Sequence, residues 1–267
     1  MTPYVPPPSP APTKEILRLR PMDPFRWLAQ GARDLSAEKA IGLFYGVCFL
    51  IMAQVLGLVF RNSPEYAMSI ASGCLLVGPF LTLGLYETSR RRELGLAPKL
   101  GASLTCWRAH LGSMGMLVLV LIVLELLWGR ASLVVFAVFF NTGMPSTTGV
   151  IAAIFNPANW EFLVVYLMVG SVFAGLVFAT AVVSIPMILD RDTDAISAAI
   201  TSLQVVFGNF VVMLLWGGLI TTLVVLALLP WGLGLLVIGP LLGHASWHAY
   251  RGSVRWLDLT GARPATA

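Results

Sequence analysis

The segment that decides the fold is Phe210-Val-Val-Met-Leu-Leu-Trp-Gly-Gly-Leu-Ile-Thr-Thr-Leu-Val-Val-Leu-Ala-Leu-Leu229. It contains no charged residue, and about 20 apolar residues are what a helix needs to cross the hydrocarbon core of a bilayer. Five further segments resemble it. They are Ala40 to Phe60, Tyr66 to Leu85, Leu111 to Trp128, Phe162 to Leu189 and Trp231 to Tyr250. The sequence therefore predicts an all-α membrane protein with about six transmembrane helices.

The composition of the whole chain agrees with a membrane location. Hydrophobic residues make up 57% of the 267 residues, and the mean hydropathy is +0.83. Charged residues make up 11%, whereas a soluble domain carries about 25%. A soluble fold of this size has no core large enough to bury so much apolar surface. The net charge of +4 is small and indicates no nucleic-acid surface.

The basic residues predict the orientation. Only Arg61 and Arg130 fall in segments on the outer side of the six predicted spans, so 15 of the 17 lysines and arginines share the other side. Loops rich in lysine and arginine stay in the cytoplasm. We therefore expect both termini to be cytoplasmic.

Three parts of the chain are distinguished. Residues 1–22 are predicted to be a disordered, Pro-rich cytoplasmic tail, residues 23–256 the six-helix membrane domain, and residues 257–267 a short cytoplasmic tail. The nearly uncharged stretch from Gly129 to Glu161 is predicted to be an outer loop lying on the membrane interface. Whether its residues 133–155 re-enter the membrane is left open.

The chain also resembles three copies of one unit, an amphipathic helix followed by a transmembrane hairpin. The amphipathic segments begin near Asp23, Pro98 and Asp192. In the first, the predicted apolar face consists of Phe25, Leu28, Ala32 and Leu35. Each hairpin carries a proline in its second helix, and helix kinks are therefore expected at Pro79, Pro186 and Pro240. The small-xxx-small patterns Gly42–Gly46 and Gly239–Gly243 predict close helix contacts.

Few residues suggest chemistry. His244 and His248 are four apart on one helix face and His110 is expected at a similar depth, which makes the three histidines candidate ligands for a metal or haem. Trp247, Tyr250 and Arg251 around His248 favour instead a structural role in an inner interfacial belt. Glu125 is the acid expected inside a span, either as a proton or ion site or as a residue reaching the outer boundary. Arg90, Arg91 and Arg92 are expected to attract lipid headgroups, or simply to set the topology.

Four motifs resemble a known family. They are Asp23-Pro-Phe-Arg-Trp-Leu28, Gly31-Ala-Arg-Asp-Leu35, Val77-Gly-Pro-Phe80 and Ser184-Ile-Pro-Met187. The chain is similar, from about Arg20 to Arg255, to a bacterial family of predicted inner-membrane proteins that forms a domain of unknown function. Some of its members are labelled similar to cytochrome c oxidase subunit I. The resemblance implies the fold and a location in the bacterial inner membrane.

The function expected from these features is that of a non-enzymatic inner-membrane accessory or scaffold protein, associated with a respiratory or envelope complex. The partners would be membrane lipids and other membrane proteins or a second copy, and no cofactor is predicted. One alternative is a small-solute transporter or channel built on the repeat. Another is a haem- or metal-binding electron-transfer subunit that uses the histidines. No catalytic motif supports an enzyme.

Overall fold

The computed structural model describes residues 13–62, 67–140 and 156–257. Its elements are β1 (Thr13–Ile16), α1 (Asp23–Ala37), α2 (Lys39–Asn62), α3 (Ala67–Glu93), α4 (Leu100–Thr105), a 3₁₀ helix (Cys106–His110), α5 (Leu111–Phe139), a 3₁₀ helix (Pro157–Asn159), α6 (Trp160–Ala181), α7 (Ser184–Arg191), α8 (Ala195–Gly208), α9 (Phe210–Leu228), α10 (Leu235–Ser253) and β2 (Val254–Leu257).

Four segments within the described residues are long and apolar enough to cross a membrane. They are Lys39–Val59, Leu100–Phe139, Trp160–Arg191 and Phe210–Leu228. Large apolar side chains such as Val138 and Val211, each 73% exposed, project from them. Such a surface suits lipid, and the all-α membrane fold is confirmed. The other two predicted spans fall on α3 and α10, so the count of six stays a prediction.

Helix α5 is longer than the sequence suggested. The predicted span ended at Trp128, but the helix continues to Phe139. Gly129 does not end it, because one glycine costs a helix only about 1 kcal/mol relative to alanine. Val135 and Phe136 are buried against Phe162 of α6, which stabilises the added turns. The first part of the predicted interfacial loop is therefore helix, and its residues 141–155 lie outside the described residues.

The predicted fourth span is divided into two helices. Helix α6 ends at Ala181 and α7 begins at Ser184. Pro186 lacks the N–H that would bond to the carbonyl of Val182 in a continuous helix, and its ring would clash with that carbonyl there. The Val183 N–H at the break donates to Ser202 Oγ over 3.2 Å instead. Pro186 thus lies in the first turn of a new helix, where the sequence predicted a kink in a continuous one.

The two ends of the described chain meet. Strand β1 pairs with β2 in an antiparallel register that places Lys14 opposite Trp256 and Glu15 opposite Arg255. The amide of Asn209 then holds the next residues: its Oδ1 accepts from Leu19 N, and its Nδ2 donates to the Leu17 carbonyl. The predicted disordered tail of residues 1–22 is therefore wrong for residues 13–22. A four-residue strand whose partner lies at the other end of the sequence gives no local signal.

Helix α1 packs on α10 through a face that differs from the predicted one. Its buried residues are Pro24, Trp27, Gly31 and Asp34, whereas Phe25 is 48% exposed. A Cβ on Gly31 would lie 2.7 Å from the backbone nitrogen of Ala245, so the two helices touch backbone to backbone. Trp27 also meets Trp216 of α9 edge-to-face at 5.5 Å. The buried face of α1 is therefore the one that lets its backbone lie directly against the backbone of α10.

The order of the helices follows the predicted unit. A short helix precedes a pair of long ones at α1, at α4 with its 3₁₀ extension, and at α8. In α8 the polar Thr201 and Ser202 are buried, while Ile196 and Phe207 are exposed. Buried polar residues and exposed apolar residues are expected for a helix whose apolar face contacts lipid. The internal repeat itself stays a prediction.

Candidate functional site

A buried carboxylate joins three helices at one end of the bundle. Asp34 Oδ2 of α1 accepts hydrogen bonds from Ser89 Oγ of α3 at 2.6 Å and from His248 Nε2 of α10 at 2.9 Å. Its Oδ1 accepts from Arg92 Nε at 3.1 Å. Ser89 Oγ also lies 2.8 Å from His244 Nδ1. We call Asp34, Ser89, Arg92, His244 and His248 the Asp34 network.

The hydrogen bonds fix where the protons of this network lie. Burial alone raises the pKa of Asp34, but the hydrogen bonds from His248 and Ser89 and the nearby histidines outweigh it, so the pKa falls below its usual value. The ionised carboxylate only accepts, and Ser89 therefore gives it its one proton. His244 must then donate from Nδ1 to Ser89. The lone pair of His244 Nε2 is left buried and without a hydrogen-bond partner among the described residues.

The local structure explains how these side chains converge. Gly31 brings the backbone of α1 against α10, and Asp34 follows one turn later on the same face. Ser89 and Arg92 occupy the last turns of α3. His244 and His248 are one turn apart on α10 and thus share a face. The five residues meet only because the three helices pack together.

Further ion pairs surround the network and form what we call the ionic cap. Its pairs are Arg92–Glu38, Arg90–Glu87, Arg91–Glu87, Arg90–Asp190, Arg191–Asp190, Arg251–Asp190 and Arg251–Glu93. The predicted headgroup ligands therefore all pair with carboxylates of the protein; they are Arg90, Arg91 and Arg92. A contact with lipid headgroups stays a prediction for them. The cap holds five arginines and four carboxylates, and Asp34, which pairs with Arg92, supplies the fifth negative charge. Its pairs tie α3, α7 and α10 to Glu38, the residue that follows α1.

A polar cleft of about 410 Å³ opens beside the cap. Its lining residues are Glu87, Arg90, Cys106, His110, Leu189, Asp190, Arg191 and Asp192. His110 Nδ1 lies 2.8 Å from Asp192 Oδ1 at this cleft. The Arg90 Nε atom is buried without a hydrogen bond, and Asp190 Oδ1 lies 3.5 Å from it.

The three predicted histidines do not all serve one site. His244 and His248 meet through Asp34, whereas His110 pairs with Asp192 at the cleft. Within the described residues, no group of three or more His, Cys, Asp and Glu side chains is arranged to hold a metal ion. The metal or haem role stays a prediction. His244 has the features it would need, because Nδ1 is oriented by a hydrogen bond and Nε2 is free.

The Asp34 network is not arranged like a serine nucleophile. In a Ser-His-Asp triad the imidazole stands between the serine and the carboxylate and takes the serine proton. Here Ser89 stands between His244 and Asp34, and its proton points at the carboxylate. Ser89 is also only 1% exposed. The arrangement fixes charge and holds helices together, and it leaves no activated hydroxyl.

The remaining predicted residues lie elsewhere. Glu125 is half-buried in the middle of α5 and has no hydrogen-bond partner among the described residues. Pro79 falls within α3, and its side chain lies outside what the structure describes.

Pro240 lies inside α10 and leaves the Leu236 carbonyl without its helical donor. Gly46 of α2 covers that carbonyl so closely that a Cβ would overlap it. The predicted Gly42–Gly46 pattern therefore makes a contact within the chain, and the freed carbonyl faces α2.

Sequence reasoning assigned no role to Asp34 or Ser89. Asp34 belongs to the quoted motif Gly31-Ala-Arg-Asp-Leu35, where it shares a helix face with Trp27 and Gly31. The available signal was an acid that shares a helix face with a tryptophan and a glycine. Ser89 had none, because a serine next to three arginines is common at the end of a membrane helix.

The comparisons with known proteins agree with the membrane fold. No curated protein and no solved structure matches the chain. One family model does match, and the matched segment includes Ser89 and Arg92 together with the quoted motifs Val77–Phe80 and Ser184–Met187. The predicted resemblance is confirmed over residues 67–190, which match the family described as "Predicted integral membrane protein (DUF2189)".

Proposed function

We propose that this integral membrane protein is a non-enzymatic accessory or scaffold protein of the bacterial inner membrane. The observation that carries the proposal is the internal pairing of the ionic cap and the Asp34 network. Asp34, Glu87, Glu93 and Asp190 each accept hydrogen bonds or ion pairs from donors of the same chain. Groups satisfied in this way build a preformed rigid surface, whereas catalysis needs groups directed at a substrate.

The basic residues at this end of the molecule indicate how the protein is oriented in the membrane. The cap contains five arginines: Arg90, Arg91, Arg92, Arg191 and Arg251. The strands that carry Lys14 and Arg255 lie beside it, because Arg191 stacks over Trp256 of β2 at 5.2 Å. Basic residues are retained on the cytoplasmic side of a membrane. We therefore place the cap and both ends of the chain in the cytoplasm, where the cap faces soluble partners or the cytoplasmic parts of a membrane complex.

The test is purification from native membranes in mild detergent, with the stoichiometry of co-purifying proteins measured by mass spectrometry. We expect a partner at a fixed ratio. Asp34→Asn should lower that ratio because it loosens the cap, whereas Glu125→Gln, which changes an acid on α5 outside the cap, should leave it unchanged. Purification without any stoichiometric partner would contradict the scaffold role.

The cleft of about 410 Å³ favours a second candidate, the transport of a small polar solute. Its lining offers both donors and acceptors, among them Arg90, His110 and Asp192. Flux of ions and small metabolites into proteoliposomes measures this activity. Transport that falls on Asp192→Asn would support it, and flux equal to that of protein-free liposomes would rule it out.

A further inference from the structure

Exposed apolar side chains surround the turn between α8 and α9. Phe207 is 67% exposed, Phe210 is 54% exposed and Val211 is 73% exposed. We call these residues, with Asn209 between them, the α8–α9 corner. Phe210 is the first residue of a segment long and apolar enough to cross a membrane, so the corner lies where that segment meets the membrane surface. Apolar side chains at this level are expected to contact the acyl chains of lipids.

The segment between β1 and α1 lies against this corner. The Asn209 side chain holds it there, because its Oδ1 accepts from Leu19 N at 2.8 Å and its Nδ2 donates to the Leu17 carbonyl at 3.1 Å. Exposure alternates along the segment. Leu17 and Leu19 are half-buried, whereas Arg18 and Arg20 are exposed. Asn209 thus fixes two exposed arginines beside the exposed apolar side chains of the corner.

The positive charge of these two arginines is not balanced by the protein. Within the part of the chain that the structure describes, neither arginine forms an ion pair. The acids nearest to them in the sequence already have partners: Glu15 pairs with Arg255, and Asp23 pairs with Arg26. Helices α8 and α9 contain no ionisable residue. The corner therefore carries two guanidinium groups that are free to bind an anion from outside the chain.

The arginines first predicted to contact headgroups differ in this respect. Arg90, Arg91 and Arg92 each pair with a carboxylate of the same chain, and a phosphate would have to displace it. A free guanidinium has no such competitor, and it can bind phosphate through two parallel hydrogen bonds. Free arginines beside exposed apolar side chains match the two parts of a phospholipid, its phosphate and its acyl chains.

We propose that the α8–α9 corner, with Arg18 and Arg20, is a binding site for an anionic phospholipid. Phe207 and Phe210 contact the acyl chains, and the two guanidinium groups bind the phosphate. A zwitterionic lipid binds less well, because the same arginines repel its ammonium group. This site depends on α9 crossing the membrane, and it serves a scaffold and a transporter alike.

The number of arginines sets the expected preference for anionic lipid. A basic residue near a membrane surface contributes about a 5-fold preference for anionic over uncharged lipid. The two arginines together should therefore give a preference of about 25-fold.

Photocrosslinking identifies what occupies the corner. In the full chain, p-benzoylphenylalanine replaces Phe207, whose exposed side chain leaves room for the larger ring. The protein is illuminated in vesicles that contain equal amounts of phosphatidylglycerol and phosphatidylethanolamine, and mass spectrometry identifies the adducts. We expect lipid adducts in which phosphatidylglycerol exceeds phosphatidylethanolamine by about 25-fold. The same illumination in native membranes should also give phospholipid adducts.

Charge-neutral variants test the two arginines. Arg18→Gln with Arg20→Gln should bring the two adducts to equal amounts, and either substitution alone should lower their ratio by about 5-fold. The single variants keep the test available if the double variant does not fold. Arg61→Gln with Arg130→Gln removes the same charge from the later parts of α2 and α5, and it should leave the ratio unchanged.

Four results would overturn the proposal. The first is a cross-link from residue 207 to a second copy of the chain or to another protein in place of lipid. The second is equal labelling of the two lipids by the protein with both arginines. The third is a ratio that does not change when Arg18 and Arg20 are replaced. The fourth is an equal loss in the control pair, which would assign the preference to the net charge of the protein and not to this corner.

Discussion

The contact between α1 and α10 can be tested by adding a single methyl group. Gly31→Ala places a Cβ 2.7 Å from the Ala245 nitrogen and 2.9 Å from the Leu241 carbonyl oxygen. Both are backbone atoms of a helix and have no rotamer with which to move aside. The helices must therefore separate by several tenths of an ångström, and overpacking of this kind costs about 1–3 kcal/mol.

Alanine also stabilises a helix by about 1 kcal/mol relative to glycine. A second glycine-to-alanine substitution with the same gain is therefore needed as a control. Gly218→Ala is the matched control, because a Cβ at Gly218 of α9 meets no atom within 4 Å. We expect Gly31→Ala to be about 1–3 kcal/mol less stable than Gly218→Ala. Unfolding in mixed detergent micelles, monitored by circular dichroism, gives the two free energies.

Hydrogen exchange locates the effect. The loss of protection in Gly31→Ala should be concentrated in residues 23–37, with α5 and α6 unaffected. Equal stability of Gly31→Ala and Gly218→Ala would refute the backbone contact on which the docking of α1 depends. A loss spread evenly over the protein would show that the damage lies in the fold as a whole, not in this helix.

Further predictions concern single interactions. Asp34→Asn should destabilise the protein by about 1–3 kcal/mol, because it weakens the hydrogen bonds that the buried carboxylate accepts, while Arg92 keeps Glu38 as a partner; the unfolding free energy measures this, and an unchanged value would contradict it. The lowered pKa of Asp34 gives stability that is complete above the usual value of 3.8 and is lost as the pH falls through the lower folded value, so acid unfolding should show a step below that pH which Asp34→Asn lacks. Gly46→Ala should separate α2 from α10 at the Leu236 carbonyl and lower the melting temperature, whereas Gly57→Ala, on the same helix with open space around it, should not. Glu15→Ala breaks an exposed ion pair with Arg255 and should change the unfolding free energy by less than about 1 kcal/mol; a larger loss would mean that β1 depends on this pair.

The membrane class of the fold could be predicted from sequence because it depends on local composition. About 20 uncharged residues in a row, as in Phe210–Leu229, have few alternatives to a helix in lipid. The positions of long helices are also local, since each satisfies its own backbone hydrogen bonds. Their ends were less certain: α5 runs on past Gly129 because Phe136 packs on Phe162, and that contact is not visible in either segment alone.

Tertiary structure decided the site. Asp34, Ser89 and His244 are far apart in the sequence and belong to three helices, so no spacing rule connects them. Gly31 could be recognised as small, but only the packed helices show that it touches the α10 backbone. The sequence by itself determined that the chain enters a membrane, because hydropathy is a sum over neighbouring residues. Which polar groups meet in the Asp34 network, and which strand pairs with β1, depended on contacts between distant residues, which only the folded chain creates.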